Sequence, residues 1–198
     1  MTAAQEDLAH PLPSSEFTVI GSPRVEDGAA IWRIARDSRA LDLNSSYSYL
    51  LWCRDFAGTS LVARDGSGIP VAFVTGYVRP EQPTTLVVWQ IAVDASHRGR
   101  GLAGTLLDAL TDKVRGTQGI RRIETTITPD NTASDRLFTS FAQRRGTGLE
   151  REVLFDAALF PSEADGAAAP SEGARDGQDG QDASHQSEFL YRIGLPPL

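Results

Sequence analysis

Apolar positions along this chain follow two periodicities in turn, and their succession predicts a layered α/β fold. Residues 17 to 20 (FTVI) are a short run of strand formers. From Val25 to Arg39 the spacing is helical, with Ile31, Ile34 and Ala35 on one stripe. Leu41 to Cys53 starts as a loop and passes into a second helix that Asn44 or Ser45 can cap. Ser60 to Arg64 and Val71 to Val78 alternate as strands about Asp65-Gly66-Ser67-Gly68, a hairpin signal. Pro80-Glu81-Gln82-Pro83 turns the chain into a long apolar strand that ends at Val93. Leu102, Leu106, Leu107, Leu110 and Val114 then share one helical stripe. Arg121 to Thr128 reads as a strand and Asn131 to Phe141 as a helix. Glu150 to Phe155 and Glu188 to Ile193 read as the last strands. The predicted order is β-α-α-β-β-β-α-β-α-β-β, a meander followed by a βαβα half around a mostly antiparallel sheet. A crevice can open where the halves meet.

Composition bounds the domain plan and removes several function classes. Residues 1 to 15 read as a flexible leader and 16 to 193 as a single domain. The stretch from about 160 to 187 is rich in Ala, Gly, Asp, Gln and Ser, and reads as a disordered loop within that domain. The net charge of −7 is concentrated there. Residues 156 to 188 hold eight acids against Arg175 alone, so the remainder balances. A neutral body can hold an anionic cofactor, and it has no basic stripe with interleaved aromatics to hold nucleic acid. No run is long and apolar enough to span a membrane, and no signal peptide is evident. The single cysteine, Cys53, suits the cytoplasm and reads as buried filler. His10, His97 and His185 have no partners at metal-ligand spacing, so no metal is expected.

Between the long strand and the leucine-striped helix lies Arg98-Gly99-Arg100-Gly101-Leu102-Ala103-Gly104. Glycines at a helix mouth admit an anion close to backbone N–H groups, the helix dipole favours it, and arginines add forked donors. That is a pyrophosphate cradle. As G-x-G-x-x-G, with Glu124 about 20 residues on, it could open a dinucleotide fold. As Arg98-x-x-Gly101-x-Ala103 it resembles the acyl-CoA loop of the GNAT acetyltransferases. Five polar or small residues, Asp94 to Arg98, separate the strand from the first glycine and nearly half the chain comes earlier, which favours the acetyltransferase.

Four further blocks sharpen the resemblance: LDLNSSYSYLLWC at 41 to 53, VWQIAVD at 88 to 94, ETTITPDN at 124 to 131 and LYRI at 190 to 193. Together they are similar to the L-2,4-diaminobutyrate acetyltransferases of ectoine biosynthesis, over roughly residues 16 to 157 and 185 to 193. The resemblance implies a cytoplasmic homodimer. It implies transfer of acetyl from acetyl-CoA to the γ-amine of L-2,4-diaminobutyrate, in the making of an osmoprotective solute.

By the same resemblance, the strand through Ile91 and Val93 would offer a backbone N–H to the thioester. Arg98 to Gly104 would hold the pyrophosphate, and Asn131, Ser134 and Phe138 would line the pantetheine arm. Phe138 stands where the superfamily often has a tyrosine acid, and phenylalanine cannot donate a proton. Asn131 could equally cap its helix, and both roles are compatible. A primary amine with a pKa of about 10.4 must lose a proton, at a cost of roughly 4–5 kcal/mol at neutral pH. A carboxylate is the natural base for it, acting directly or through water. Glu124 and Asp42 are the catalytic candidates, with Tyr47 or Tyr49 as a hydroxyl donor, and Asp42, Glu124 and Glu188 are the carboxylates expected to meet the acceptor's two ammonium groups. Glu124, predicted on a central strand, is costly to bury unless paired or functional, which favours it as the base or as an amine ligand. Asp42 could instead cap a helix, and Trp89 could pack in the core or stack on an ammonium. Ser46, Gln90, Thr125 and His185 complete the substrate-binding set. Other amine acceptors, a non-catalytic acyl-CoA sensor and a dinucleotide oxidoreductase are the alternatives.

Overall fold

A computed structural model describes residues 19–161 and 185–197. The expected leader, Phe17 and Thr18, and the acidic stretch from 162 to 184 lie outside these. The described residues form β1 (Val19–Gly21), α1 (Gly28–Ser38), α2 (Ser46–Asp55), β2 (Leu61–Arg64), β3 (Pro70–Val78) and β4 (Thr85–Val93). There follow α3 (Leu102–Gln118), β5 (Arg122–Ile127), α4 (Thr132–Arg144), β6 (Leu149–Phe155) and β7 (Glu188–Gly194). The order matches the expected one. One seven-stranded sheet runs β1-β2-β3-β4-β5-β7-β6, antiparallel except for the β4–β5 pair.

Two apolar layers sandwich the sheet. α3 and α4 cover one face through Leu106, Leu107, Leu110, Val114, Phe138 and Phe141, packed on Leu86, Val88, Ile123 and Ile127. α1 and α2 cover part of the other through Ile31, Ile34, Ala35, Tyr49 and Cys53, packed on Val62, Phe73 and Ala92. Local chemistry sets the ends. Ser45 caps α2 by accepting the Ser48 N–H, and Asn131 caps α4 by accepting the Ser134 N–H. α3 runs one turn past Val114 and stops at Gly119, whose φ of 68° terminates a helix at little cost. The expected single helix from Val25 divides into a 3₁₀ turn, Val25–Asp27, and α1. Asp27 is withdrawn at that junction by the Arg24 N–H at 2.6 Å and the Arg64 guanidinium at 2.5 Å.

Two irregularities position the site. β4 and β5 pair only from Thr85 to Val87 against Arg122 to Glu124, and beyond Val87 they diverge. Just there Thr75 pairs with Gln90 but Gly76 with Val88, leaving Trp89 as an extra residue. This bulge shifts the alternation by one. Leu86 and Val88 join the larger core before it, Ile91 and Val93 pack against that same core after it, and Ala92 joins the smaller one. Gly76 is required opposite the bulge, because a Cβ there would lie 2.7 Å from the Val87 carbonyl oxygen.

Candidate active site

The fork between β4 and β5 opens into a cleft of about 730 Å³ that continues to the mouth of α3. Asp94 shapes the approach. Its carboxylate accepts the Ser96 N–H at 3.0 Å and the Ser96 hydroxyl at 2.7 Å, winding Ala95–His97 into a 3₁₀ turn. The chain then passes through Gly99 (φ 76°) and Gly101 (φ 74°) into α3. A Cβ at either glycine would meet nothing within 4 Å. Backbone conformation therefore selects them, and the space beside them is open to a ligand. Among the described residues no side chain caps α3, so its first N–H groups are left for an anion. Arg98 is steered by donating its Nε–H to the Val93 carbonyl at 3.2 Å.

Of the residues expected to hold acetyl-CoA, Ile91, Val93, Arg98, Gly99, Gly101, Leu102, Ala103, Gly104, Asn131 and Ser134 line this cleft. The cradle thus fits the diphosphate-bearing group that its sequence suggested. Arg100 stands outside the lining and donates to the Ser96 carbonyl at 3.4 Å. Phe138 differs from its expected place. It is 1% exposed in the core beneath α4, and Leu137, one position earlier, faces the cleft. Asn131 does two things at once. It caps α4, and its amide donates to the Ala40 carbonyl at 3.4 Å, tying the α1–α2 loop to the cleft.

Beyond that loop three titratable side chains gather. Asp42 Oδ2 lies 3.6 Å from His185 Nε2, and the His185 ring stacks on Phe160 with centroids 3.8 Å apart. Glu188, half-buried at the start of β7, interacts with both, with the Thr126 hydroxyl and with Asp130. Burial raises the Glu188 pKa above the usual carboxylate range, and the negative charges of Asp42 and Asp130 push the same way. The Thr126 hydrogen bond and His185 oppose the rise. Gln90 braces the group from beneath. Its amide donates to the Asp42 carbonyl at 2.8 Å, and its oxygen accepts the Tyr49 hydroxyl at 3.0 Å.

Glu124 is elsewhere. It is buried on the floor of a second cavity of about 650 Å³, on the same sheet face, with Thr126 lining that cavity too. Arg79 donates to it at 2.6 Å, and Arg192 and Arg122 stand at 3.5 and 3.9 Å. Three guanidiniums account for its burial, where the sequence favoured a base or an amine ligand. Trp89 and Thr125 line the same cavity. Trp89 is 49% exposed at the bulge and stacks on Trp52, 6.1 Å between centroids. Ser46 and Tyr47 sit exposed on the first turn of α2, and Tyr47 lines neither cavity. Burial pushes the Cys53 thiol up to about 11, in keeping with a packing role. Among the described residues no group of His, Cys, Asp and Glu could hold a metal, and no helix is long and apolar enough to cross a membrane.

Sequence reasoning missed Thr126, Asp130 and Phe160 beside Glu188 and His185, and Arg136, Ser140 and Arg144 in the cleft. The last three recur at helical spacing from Ala133, so the stripe was readable once α4 was known to face the cleft.

A forked β4–β5 pair feeding a glycine-lined helix mouth is the architecture of an acetyl-CoA-dependent acetyltransferase. Residues 28–142 match the model of the acetyltransferase (GNAT) family. An L-2,4-diaminobutyric acid acetyltransferase from Streptomyces anulatus is 62% identical over 194 residues, 98% of each chain. Another, from Marinococcus halophilus, is 39% identical over 181 residues, 91% of this chain and 92% of that one. The solved diaminobutyrate acetyltransferase EctA of Paenibacillus lautus, in complex with L-2,4-diaminobutyric acid and coenzyme A, superposes with a TM-score of 0.76. It is 34% identical, covering 91% of this chain and 96% of its own. This chain belongs to the GNAT family and, within it, to the L-2,4-diaminobutyric acid acetyltransferases.

The raised pKa of Glu188 has a stability consequence. Folding disfavours its charged form, so stability is fullest below the unfolded carboxyl value and falls as pH rises through the higher folded one. Glu188→Gln, which imitates the protonated acid, is expected to melt higher than the native protein at pH 7. Thermal melts at pH 4 should show the two converging. A variant that melts lower at pH 7 would contradict the assignment.

Proposed function

We propose that this protein transfers the acetyl group of acetyl-CoA to the γ-amine of L-2,4-diaminobutyrate, with Glu188 as the proton acceptor. The observation that carries the reading is the Asp42–His185–Glu188 cluster, one residue beyond the cleft wall formed by Ala40 and Leu41. Acetyl-CoA supplies an activated thioester whose carbonyl carbon takes the amine. The N–C bond forms as the C–S bond breaks, and the proton lost by the ammonium balances the one the thiolate takes up.

The chain's own residues prepare that exchange. Asp42 and Glu188 present two carboxylates to an acceptor with two ammonium groups, favouring a diamine over a monoamine. Glu188 has the property a base needs, since a carboxyl pKa raised by burial takes a proton more readily near neutral pH. Asp42, largely exposed, is suited to hold an ammonium at the mouth. Gln90 and Asn131 fix the loop that carries it. Ser46 and Tyr47 stand on the first turn of α2, four residues beyond Asp42, where N–H groups suit the acceptor's carboxylate. Tyr47 is a binding group in this reading, and Glu124, with its three guanidiniums, a structural anion. The negative charge that develops on the thioester oxygen is met by N–H groups that the fork leaves unpaired on β4 beyond Val87.

The acting unit is a homodimer in the cytoplasm. β6 is one of the sheet's two outer strands, with one edge on β7 and, among the described residues, the other unpaired. Its side chains Val153 (52% exposed) and Phe155 (46%) are out of place on a lone surface. A second copy is the occupant whose chemistry matches. Cys53, the single cysteine, is buried and needs no oxidising compartment.

Two measurements test these readings. Coenzyme A release should be strong with L-2,4-diaminobutyrate and weak with ornithine, lysine and spermidine, and NMR should place the acetyl group on the γ-nitrogen. Equal turnover across the panel would remove the substrate assignment and leave the fold standing. Val153→Lys combined with Phe155→Glu should convert a dimer to a monomer in sedimentation velocity. A native protein that sediments as a monomer would dismiss the interface.

A further inference from the structure

The cofactor cleft contains a cation that the cradle does not account for. Arg144 is on the last turn of α4 and lines the cleft opposite the mouth of α3. Its Nη2 lies 3.6 Å from where a Cβ at Gly104 would stand, so it sits beside the cradle rather than within it. It donates to Asp108 Oδ2 at 2.8 Å. Asp108 Oδ1 is in turn gripped by Arg145 through Nε at 3.1 Å and Nη2 at 3.0 Å, and Arg145 also holds Asp112 at 2.7 Å. The chain Asp112–Arg145–Asp108–Arg144 therefore fixes the direction of one guanidinium across the helix pair.

Stability gives little reason for it. Arg144 is 46% and Asp108 33% exposed, and a pair so exposed contributes only about 0–1 kcal/mol. The arrangement has a directional consequence instead. Arg145 supplies Asp108 with a countercharge of its own, so the remaining donors of Arg144 are free to face an anion. The diphosphate of acetyl-CoA already has the N–H groups at the α3 mouth, with Arg98 beside them. The ribose 3′-phosphate, carrying about two negative charges, is the anion left over. Arg136, eight residues earlier on the same stripe of α4, adds to the positive field of the cleft.

We infer that Arg144, oriented by Asp108 and Arg145, recognises the ribose 3′-phosphate and makes the enzyme selective for coenzyme A over 3′-dephospho-coenzyme A. The inference rests on acetyl-CoA being the donor. It assigns Arg144 a binding role, and Asp108 and Arg145 positioning roles.

Calorimetric titration of the full chain with coenzyme A and with 3′-dephospho-coenzyme A tests it without turnover. The native protein should bind coenzyme A about tenfold or more tightly than the dephospho form, the range of a lost charge-assisted hydrogen bond. Arg144→Met should weaken coenzyme A to the dephospho level while changing dephospho binding less than about twofold. Arg144→Lys should restore part of the preference. Equal binding of the two ligands by the native protein would overturn the inference without recourse to any variant. Equal weakening of both by Arg144→Met would overturn it too, by returning Arg144 to the diphosphate or to the fold. Failure of the native protein to bind coenzyme A at all would remove the donor, and the inference with it.

Discussion

Everything in this structure depends on the point where β4 stops pairing with β5. Three residues on each strand make the parallel ladder, and then Trp89 is inserted against β3 and the strands diverge. A closed parallel sheet would leave no fork and no unpaired backbone to meet a thioester. The bulge also reverses which face each later residue of β4 addresses. It thereby delivers Gln90 to the loop carrying Asp42, and Ile91 and Val93 to the cofactor cleft. Gly76 makes it possible, because no other residue fits against the Val87 carbonyl.

The same sheet face carries two carboxylates that the structure treats oppositely. Glu124 is buried among guanidiniums that arrive from β5 itself, from β7 and from the β3–β4 turn. That pairing compensates a charge in a dry place. Glu188 receives a single hydroxyl and the repulsion of Asp42 and Asp130, relieved only in part by His185. A carboxyl so placed is costly to keep charged and ready to gain a proton. The fold thus sets a carboxylate held by three guanidiniums and one that meets a single hydroxyl along one strand pair, four positions apart on β7's side of the register.

The fold was legible because most of its elements announce themselves locally. The stripe of α3, the apolar run of β3, buried along most of its length where alternation was expected, and the caps Ser45 and Asn131 each follow from neighbours in sequence. The cradle was legible for the same reason, since a helix mouth and its glycines are contiguous. The bulge at Trp89 was not, because it exists only in the register between two strands. Nor were the different surroundings of Glu124 and Glu188. Arg79 lies 45 positions before Glu124, and Asp42 meets His185 only once β7 has returned to the sheet. Phe138 shows a third limit. Its motif places it near the cofactor, but the turn of α4 sends Leu137 to the cleft and position 138 to the core.

On the reading proposed above, Glu188, and not Glu124, accepts the amine proton. The most direct measurement is the pH dependence of kcat/KM for L-2,4-diaminobutyrate in the native protein, Glu188→Gln and Glu124→Gln. The expected result is an acid limb above the ordinary carboxylate range in the native protein, present in Glu124→Gln and absent in Glu188→Gln. An acid limb that survives in Glu188→Gln, or vanishes in Glu124→Gln, would contradict it.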